Sequence, residues 1–403
     1  MAVLEMKDNV FWVGAVDWGL RDFHGYSLAR NGTTYNAFLV FDEKTTLFDT
    51  VSSRLSEEFF GNIQEIIDPT RIDYLVVNHV EPDHSGCLVE AVNLIRPEKI
   101  FCTTMGKQFM ISHYHHEDWP YAVVKTGDWI SLGKKTVYFI ELRMLHWPDN
   151  MGCYIKEDKL FLSSDAFGHN WATSERFDDQ VDFREIRAHL ANYFANIILP
   201  YSDNVLQALG KIEELEWDID MIAPDHGLIF RTHVNEVIEA YKEFAQQKAK
   251  AKAVIIYDTM WKSTEKMALA IAEGLIKEDI SVKVFHMKSC HHSDVMAEVL
   301  DAQAVLMGSP THNRGVLPYV AAMLRYMEGL RPQGKIAAAF GSYGWQRDSI
   351  KNLTETLERM NMEVVGSIRV QNVPTAEDLN ECVALGKRVA ETIKEKQDRW
   401  SKR

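Results

Sequence analysis

Short apolar runs broken by turn residues occupy the chain up to about residue 245, and a regular strand, loop, helix rhythm follows it. In the front part, Asn36-Ala-Phe-Leu-Val-Phe and Thr46-Leu-Phe-Asp flank the polar turn Asp42-Glu-Lys-Thr, which predicts a hairpin. A second hairpin is predicted over Cys153-Tyr-Ile-Lys-Glu-Asp-Lys-Leu-Phe-Leu-Ser, and helical periods fall at 56–66 and 203–215. Strands and helices mixed in this way imply two sheets covered by helices. The polar, lysine-rich stretch Ala245-Gln-Gln-Lys-Ala-Lys-Ala-Lys has no core pattern and sets a boundary, giving domains 1–248 and 249–403. Beyond it, strands at 253–257, 282–285, 304–308, 336–340 and 367–370 alternate with helical periods. That order is a doubly wound α/β domain with a parallel five-stranded sheet, whose ligands bind beyond the carboxyl ends of the strands.

The composition narrows the class. A chain of 403 residues with 46% hydrophobic and 25% charged positions has room for two or three complete cores. A net charge of -14 argues against nucleic-acid binding, which leaves a basic footprint. The opening Met-Ala-Val-Leu-Glu-Met-Lys-Asp carries no secretory pattern and no run reaches membrane-spanning length, so a cytoplasmic protein without membrane contact is expected. Five scattered cysteines, with no Cys-x-x-Cys pair, give neither a disulfide framework nor an iron-sulfur signature. They are expected to be small buried residues, and any electrons the protein needs must come from elsewhere.

Candidate chemistry concentrates first after residue 74. Tyr74-Leu-Val-Val-Asn-His-Val-Glu-Pro-Asp-His reads as a buried strand ending in a polar loop that presents His79, Glu81, Asp83 and His84. His146, Asp165 and His226 stand alone, the last two directly after apolar runs. Imidazoles and carboxylates aimed from several strand ends into one cleft can hold two divalent ions. Asp225 is read either as a partner that orients His226 or, with equal weight, as a helix-capping or solvent-facing residue.

The second half offers three loops at strand ends. Thr259, Met260, Trp261, Lys262, Ser263 and Thr264 place hydroxyls and free N–H groups before a helix, a phosphate cradle without the glycines of a Walker loop. Ser309, Pro310, Thr311, His312, Asn313, Arg314 and Gly315, and then Gly341, Ser342, Tyr343, Gly344 and Trp345, supply small residues for close approach and aromatics for stacking. One phosphate loop with two loops flanking a flat ring describes a site for flavin mononucleotide. Trp261 or Trp345 could instead be an ordinary buried aromatic.

On these three loops, residues 253 to about 395 resemble a flavodoxin. The earlier residues resemble the metallo-β-lactamase fold, an αβ/βα sandwich with a His-x-His-x-Asp-His loop followed by single His, Asp and His ligands. Here Glu81 replaces the second histidine of that loop. A carboxylate in place of an imidazole adds negative charge and a harder donor, which suits iron rather than hydrolytic zinc. Taken together, the chain is similar to the flavodiiron proteins, also called A-type flavoproteins, over essentially its whole length. The resemblance implies a non-haem diiron site with His79, Glu81 and His146 on one iron, Asp83 and His226 on the other, and Asp165 bridging. The position of His84 ligates in some members and turns away in others, and is left open.

The same resemblance implies reduction of dioxygen to water, of nitric oxide to nitrous oxide, or both. FMN would supply the diiron pair, and a separate donor, rubredoxin or reduced deazaflavin, would supply FMN. It also implies a head-to-tail homodimer or a dimer of dimers, with Trp345 near the contact. Lys262, Arg314 and Arg347 put a cation beside every flavin loop, as docking of a small acidic redox protein requires. His24 and Tyr193 are expected to donate protons near the irons, with Tyr26, Trp147 and Phe194 as further candidates to line the site. The alternative is a binuclear zinc hydrolase with an attached flavodoxin domain.

Overall fold

The computed structural model describes residues 3–401 and falls into two compact units. One comprises the chain up to Tyr193 together with Tyr201–Ala245, and the other comprises Phe194–Pro200 together with the chain from Gln246 on.

The first unit holds a seven-stranded and a five-stranded sheet. Val10, Trp12, Phe38, Phe48, Val76 and Phe101 of the larger sheet are buried in one cluster with Phe139, Cys153, Leu160 and Leu162 of the smaller. Each such side chain contributes about 1.5–3 kcal/mol by leaving water. Helices such as Ser56–Ile66 bury Phe59, Phe60 and Ile63, as their helical period predicts. Both hairpins form: Phe38–Val40 pairs antiparallel with Thr46–Phe48, and Met151–Ile155 with Leu160–Ser164. The second predicted helix runs over Ser202–Glu214, one residue earlier than its periodicity places it.

Two local features aim the site. Strand Tyr74–Val76, held parallel between Thr46–Phe48 and Lys99–Cys102, stops where Asp49 takes over the backbone N–H of Asn78 at 2.7 Å, and the chain turns into the polar loop. Strand Leu160–Ser164 runs parallel to Met221–Pro224, with Leu160 opposite Met221 and Leu162 opposite Ala223. Their carboxyl ends therefore lie side by side, and the next residues include Asp165, Asp225 and His226.

The second unit is a five-stranded parallel sheet in the order Ser281–His286, Lys250–Tyr257, Ala302–Gly308, Ile336–Tyr343, Glu363–Gln371. Helices Ser263–Ile276 and Ala376–Ser401 cross so closely that a Cβ on Gly386 would strike the carbonyl of Ile271. Two elements differ from the sequence reading. The last three residues of the lysine-rich stretch, from Lys250 on, are strand, and Lys250 and Lys252 pair with Asp301 instead of facing solvent alone. Residues 194–200 cluster with this unit, where Asn196 donates to the carbonyl of Ser293 at 3.1 Å and accepts from the Tyr326 hydroxyl at 2.7 Å. Four of the five cysteines are buried and all are free, as expected.

Candidate functional site

All seven predicted ligands of the first unit meet at one place. His79 Nε2 lies 3.1 Å from Glu81 Oε2 and 3.4 Å from Asp165 Oδ2, and His146 Nε2 lies 3.0 and 3.4 Å from the same two oxygens. On the other side, His226 Nε2 is 3.2 Å from Asp83 Oδ2 and 3.5 Å from Asp165 Oδ1. His84 turns inward, its Nε2 3.1 Å from Asp165 Oδ1 and 3.5 Å from Asp83 Oδ2. Asp165 thus offers one oxygen to each group of side chains, His79/Glu81/His146 and Asp83/His84/His226.

The supporting hydrogen bonds fix what these atoms can be. His79 Nδ1 faces Asp149 Oδ2 at 3.1 Å, and a carboxylate only accepts, so Nδ1 carries a proton; in the neutral ring that leaves Nε2 with a lone pair for a metal. His226 Nδ1 likewise donates to the carbonyl of Thr34 at 2.8 Å. In the neutral ring, His226 Nε2 and Asp83 Oδ2 are two lone-pair atoms facing each other at 3.2 Å, which is repulsive unless a proton or a metal cation lies between them. Both oxygens of Asp83 and of Asp165, and His226 Nε2, are buried with no hydrogen-bond partner. Convergent, unpaired, buried donors of this kind fit two metal ions. Burial alone would raise the Asp165 carboxyl, but the imidazoles around it, His84 first and then His146, hold it well below the usual carboxylate range.

Sequence reading missed Asp149, whose Oδ2 also accepts from the Val80 N–H at 2.8 Å, and the Thr34 carbonyl. Its expectation for Asp225 is corrected. That carboxylate lies 3.8 Å from His84 Nδ1 rather than orienting His226, and burial raises it well above the usual range.

His24 Nε2 stands 2.9 Å from Glu81 Oε1, and the Tyr26 ring stacks on its imidazole at 5.7 Å. Tyr193 is buried, its ring 5.9 Å from that of His226 and its hydroxyl without a hydrogen-bond partner. Burial, then the Asp165 carboxylate, raise that hydroxyl well above the phenol range. Trp147 meets His79 edge to face at 5.2 Å. Phe194 is assigned to the second unit.

In the second unit the three predicted loops gather at the carboxyl ends of neighbouring parallel strands. Thr259, Met260, Trp261 and Lys262 connect strand Lys250–Tyr257 to helix Ser263–Ile276, whose first residues, Ser263 and Thr264, are buried. Lys262 caps that helix in the left-handed region, φ 68°. Thr264 Oγ1 and Ser342 Oγ are 3.4 Å apart, and the Thr311 N–H donates to the carbonyl of Ser342 at 2.8 Å, which ties the loops together. Ser309 accepts from the Leu317 N–H at 2.9 Å, and a tight 3.0 Å turn joins His312 to Gly315 around Asn313. The last strand end comes later than read: Gly341, Ser342 and Tyr343 continue strand Ile336–Tyr343, and only Gly344 and Trp345 begin the loop. Gly341 is required there, since a Cβ would strike the Ser309 carbonyl. Trp261 and Trp345 are 89% and 90% exposed, so neither is a core aromatic. A helix N-terminus with hydroxyls, small residues and two bare indoles fits a phosphate-bearing flat ring.

No helix among the described residues is long and apolar enough to cross a membrane. The family model for the ODP family beta lactamase matches residues 33–227, and that for flavodoxin matches residues 255–386. The rubredoxin-oxygen oxidoreductase of Megalodesulfovibrio gigas is 47% identical, covering 98% of this chain and 99% of its own. The nitric oxide reductase of Moorella thermoacetica is 46% identical over 96% and 98%. The crystal structure of the flavodiiron protein from Giardia intestinalis superimposes with a TM-score of 0.94 at 30% identity, covering 98% of this chain and 97% of that one. With a β-lactamase-like unit that gathers two groups of metal donors, a flavodoxin unit and relatives alike from end to end, this chain belongs to the flavodiiron protein family.

Proposed function

We propose that the chain is a cytoplasmic oxidoreductase that reduces dioxygen to water, nitric oxide to nitrous oxide, or both, at two iron ions in the first unit. FMN in the second unit feeds them, and rubredoxin, or reduced deazaflavin in its place, feeds the FMN. The observation that carries this reading is the Asp165 carboxylate facing both donor groups, with Glu81 as a harder donor where zinc hydrolases use an imidazole. Two curated relatives named for oxygen and for nitric oxide chemistry stand within one percentage point of identity, which supports both substrates equally.

When bound, the irons supply Lewis acidity and one electron each, and FMN supplies two. The balance is then O2 + 4 e⁻ + 4 H⁺ giving 2 H2O, or 2 NO + 2 e⁻ + 2 H⁺ giving N2O + H2O. His79, Glu81 and His146 would hold one ion, Asp83, His84 and His226 the other, with Asp165 between. His84 is included because its ring points at Asp165 Oδ1. His24, which stands beside Glu81, and Tyr193, whose hydroxyl has no hydrogen-bond partner, would hold the protons that the reduction consumes. In the flavin cleft, the N-terminus at Ser263 and Thr264 would take the FMN phosphate, and Trp261, Tyr343 and Trp345 would flank the ring.

The exposed Trp345 supports a head-to-tail homodimer, or a dimer of such dimers, in which the flavin of one chain serves the irons of its partner. A fully active monomer would exclude that arrangement. If Lys262, Arg314 and Arg347 dock rubredoxin, replacing all three with glutamine lowers its rate of flavin reduction and the salt dependence of that rate, and unchanged kinetics would rule the docking out. The function is tested by anaerobic reduction, then stopped-flow mixing with dioxygen and separately with nitric oxide, with metals measured on the same sample. Two irons per chain and rapid reoxidation by either gas are expected. Zinc with hydrolytic turnover would restore the hydrolase alternative.

A further inference from the structure

Two cavities in the first unit share a wall. The outer one, of about 620 Å³, lies between helices Ser202–Glu214 and Val234–Ala245; Leu206, Leu209, Ile212, Val234 and Ile238 give it an apolar side, and Glu213, Glu216, Asp218, Glu239 and Lys242 also line it. The inner one has room of about 10 Å³, roughly what one water-sized molecule requires, and its lining is apolar except for the Tyr241 hydroxyl. Phe161, Phe167, Leu209 and Ile212 line both.

The inner cavity ends on Leu145 and Ala166. Leu145 immediately precedes His146, and Ala166 immediately follows Asp165, the carboxylate that faces both metal groups. The Phe167 and Tyr241 rings, 4.6 Å apart, are both in its wall, and the Asp165 carboxylate still acts on the Tyr241 hydroxyl.

We propose that the two cavities form an entry path for a diatomic gas, from the groove between the two helices, through the apolar residues they share and the apolar inner cavity, to the backs of the His146 and Asp165 loops. The proposal rests on the gas-reducing function above and names how its substrate arrives. Dry apolar cavities take up small apolar molecules such as xenon and exclude ions, whose desolvation is not repaid there. Dioxygen and nitric oxide pass such a filter; hydronium and charged reductants do not. Leu209 is one of the four residues in both linings and stands at the junction.

The test uses the metal- and flavin-loaded enzyme. Crystals held under xenon pressure should show xenon where the two cavities meet, against Leu209, in the parent and none there in Leu209→Trp. In the same variant kcat/KM for the gas should fall about tenfold, as an added entry barrier of ~1.4 kcal/mol gives, while kcat at saturating gas and metal content stay at parental values. Ile212→Trp plugs the outer side of the junction at a half-buried position and serves if Leu209→Trp does not fold. Leu209→Ala should raise xenon occupancy without lowering kcat/KM. Absence of xenon from the parent's cavities overturns the path, as does a plugged variant that excludes xenon yet keeps parental kcat/KM. A parent that consumes neither gas overturns the function itself, and with it the path's role, a result distinct from either of these.

Discussion

Asp149→Ala tests how the metal centre is built. Asp149 Oδ2 accepts from His79 Nδ1 at 3.1 Å and from the Val80 N–H at 2.8 Å, and both residues are buried. Removing the carboxylate leaves the Val80 N–H unsatisfied and frees the His79 ring to rotate or change tautomer. Hydrogen bonds to charged groups are worth about 1.5–3 kcal/mol each, and part of that returns as the cavity relaxes, so the metal-free protein should lose about 2–4 kcal/mol. Metal affinity at the His79 site should fall about 10–100-fold, the usual consequence of losing the partner that orients a ligating imidazole. Asp149→Asn can keep its oxygen in place of Oδ2 and retain both bonds in neutral form, so it should lose less on both counts. Urea unfolding of the metal-free proteins gives the first quantity, and iron retained during titration with a chelator gives the second. An Asp149→Ala protein that holds both irons as tightly as the parent would refute the reasoning.

Other residues give independent checks. Asp178 is buried and accepts from the Arg231 N–H at 2.9 Å and the His233 N–H at 2.7 Å just before helix Val234–Ala245; Asp178→Ala should cost about 2–4 kcal/mol, and an unchanged urea midpoint would contradict this. Gly341→Ala forces a Cβ into the Ser309 carbonyl and should sharply reduce flavin bound per chain, read from flavin absorbance; full flavin content would show that the strand ends can separate freely. Burial pushes the Lys335 ammonium down from 10.5 to about 7, so between those pH values the unfolded chain binds more protons than the folded one and stability rises with pH. Lys335→Met should flatten that slope in urea titrations repeated across the window, and an identical slope in both proteins would contradict the assignment.

The ligands were legible because the chemistry is local: His79, Glu81, Asp83 and His84 occupy one loop, and Asp165 and His226 each follow an apolar strand. Their supports were not. Thr34 contributes a backbone carbonyl, which no side chain advertises, and Asp149 is an isolated aspartate whose partner lies far back in the chain. Of the two readings of Asp225, the one that paired it with His226 took a chain neighbour for a spatial one and the other put a buried side chain in solvent or at a helix cap, whereas its carboxylate lies beside His84. The strand beginning at Lys250 was hidden by lysines that look solvated until Asp301 and Glu298 are seen beside them. The attachment of residues 194–200 to the second unit rests on Asn196 meeting Ser293 and Tyr326, a tertiary event with no periodicity to announce it. The exposure of Trp261 and Trp345 likewise required the fold, since sequence alone left both as possible core residues.

The central claim is that one chain stores the electrons that a complete reduction of dioxygen consumes. Two ferrous ions and one two-electron-reduced FMN hold four, so the fully reduced protein, mixed anaerobically with one equivalent of dioxygen per chain, should reoxidise completely, with no free hydrogen peroxide in the quench. Stoichiometric peroxide, or reoxidation of the flavin with the irons left ferrous, would contradict it.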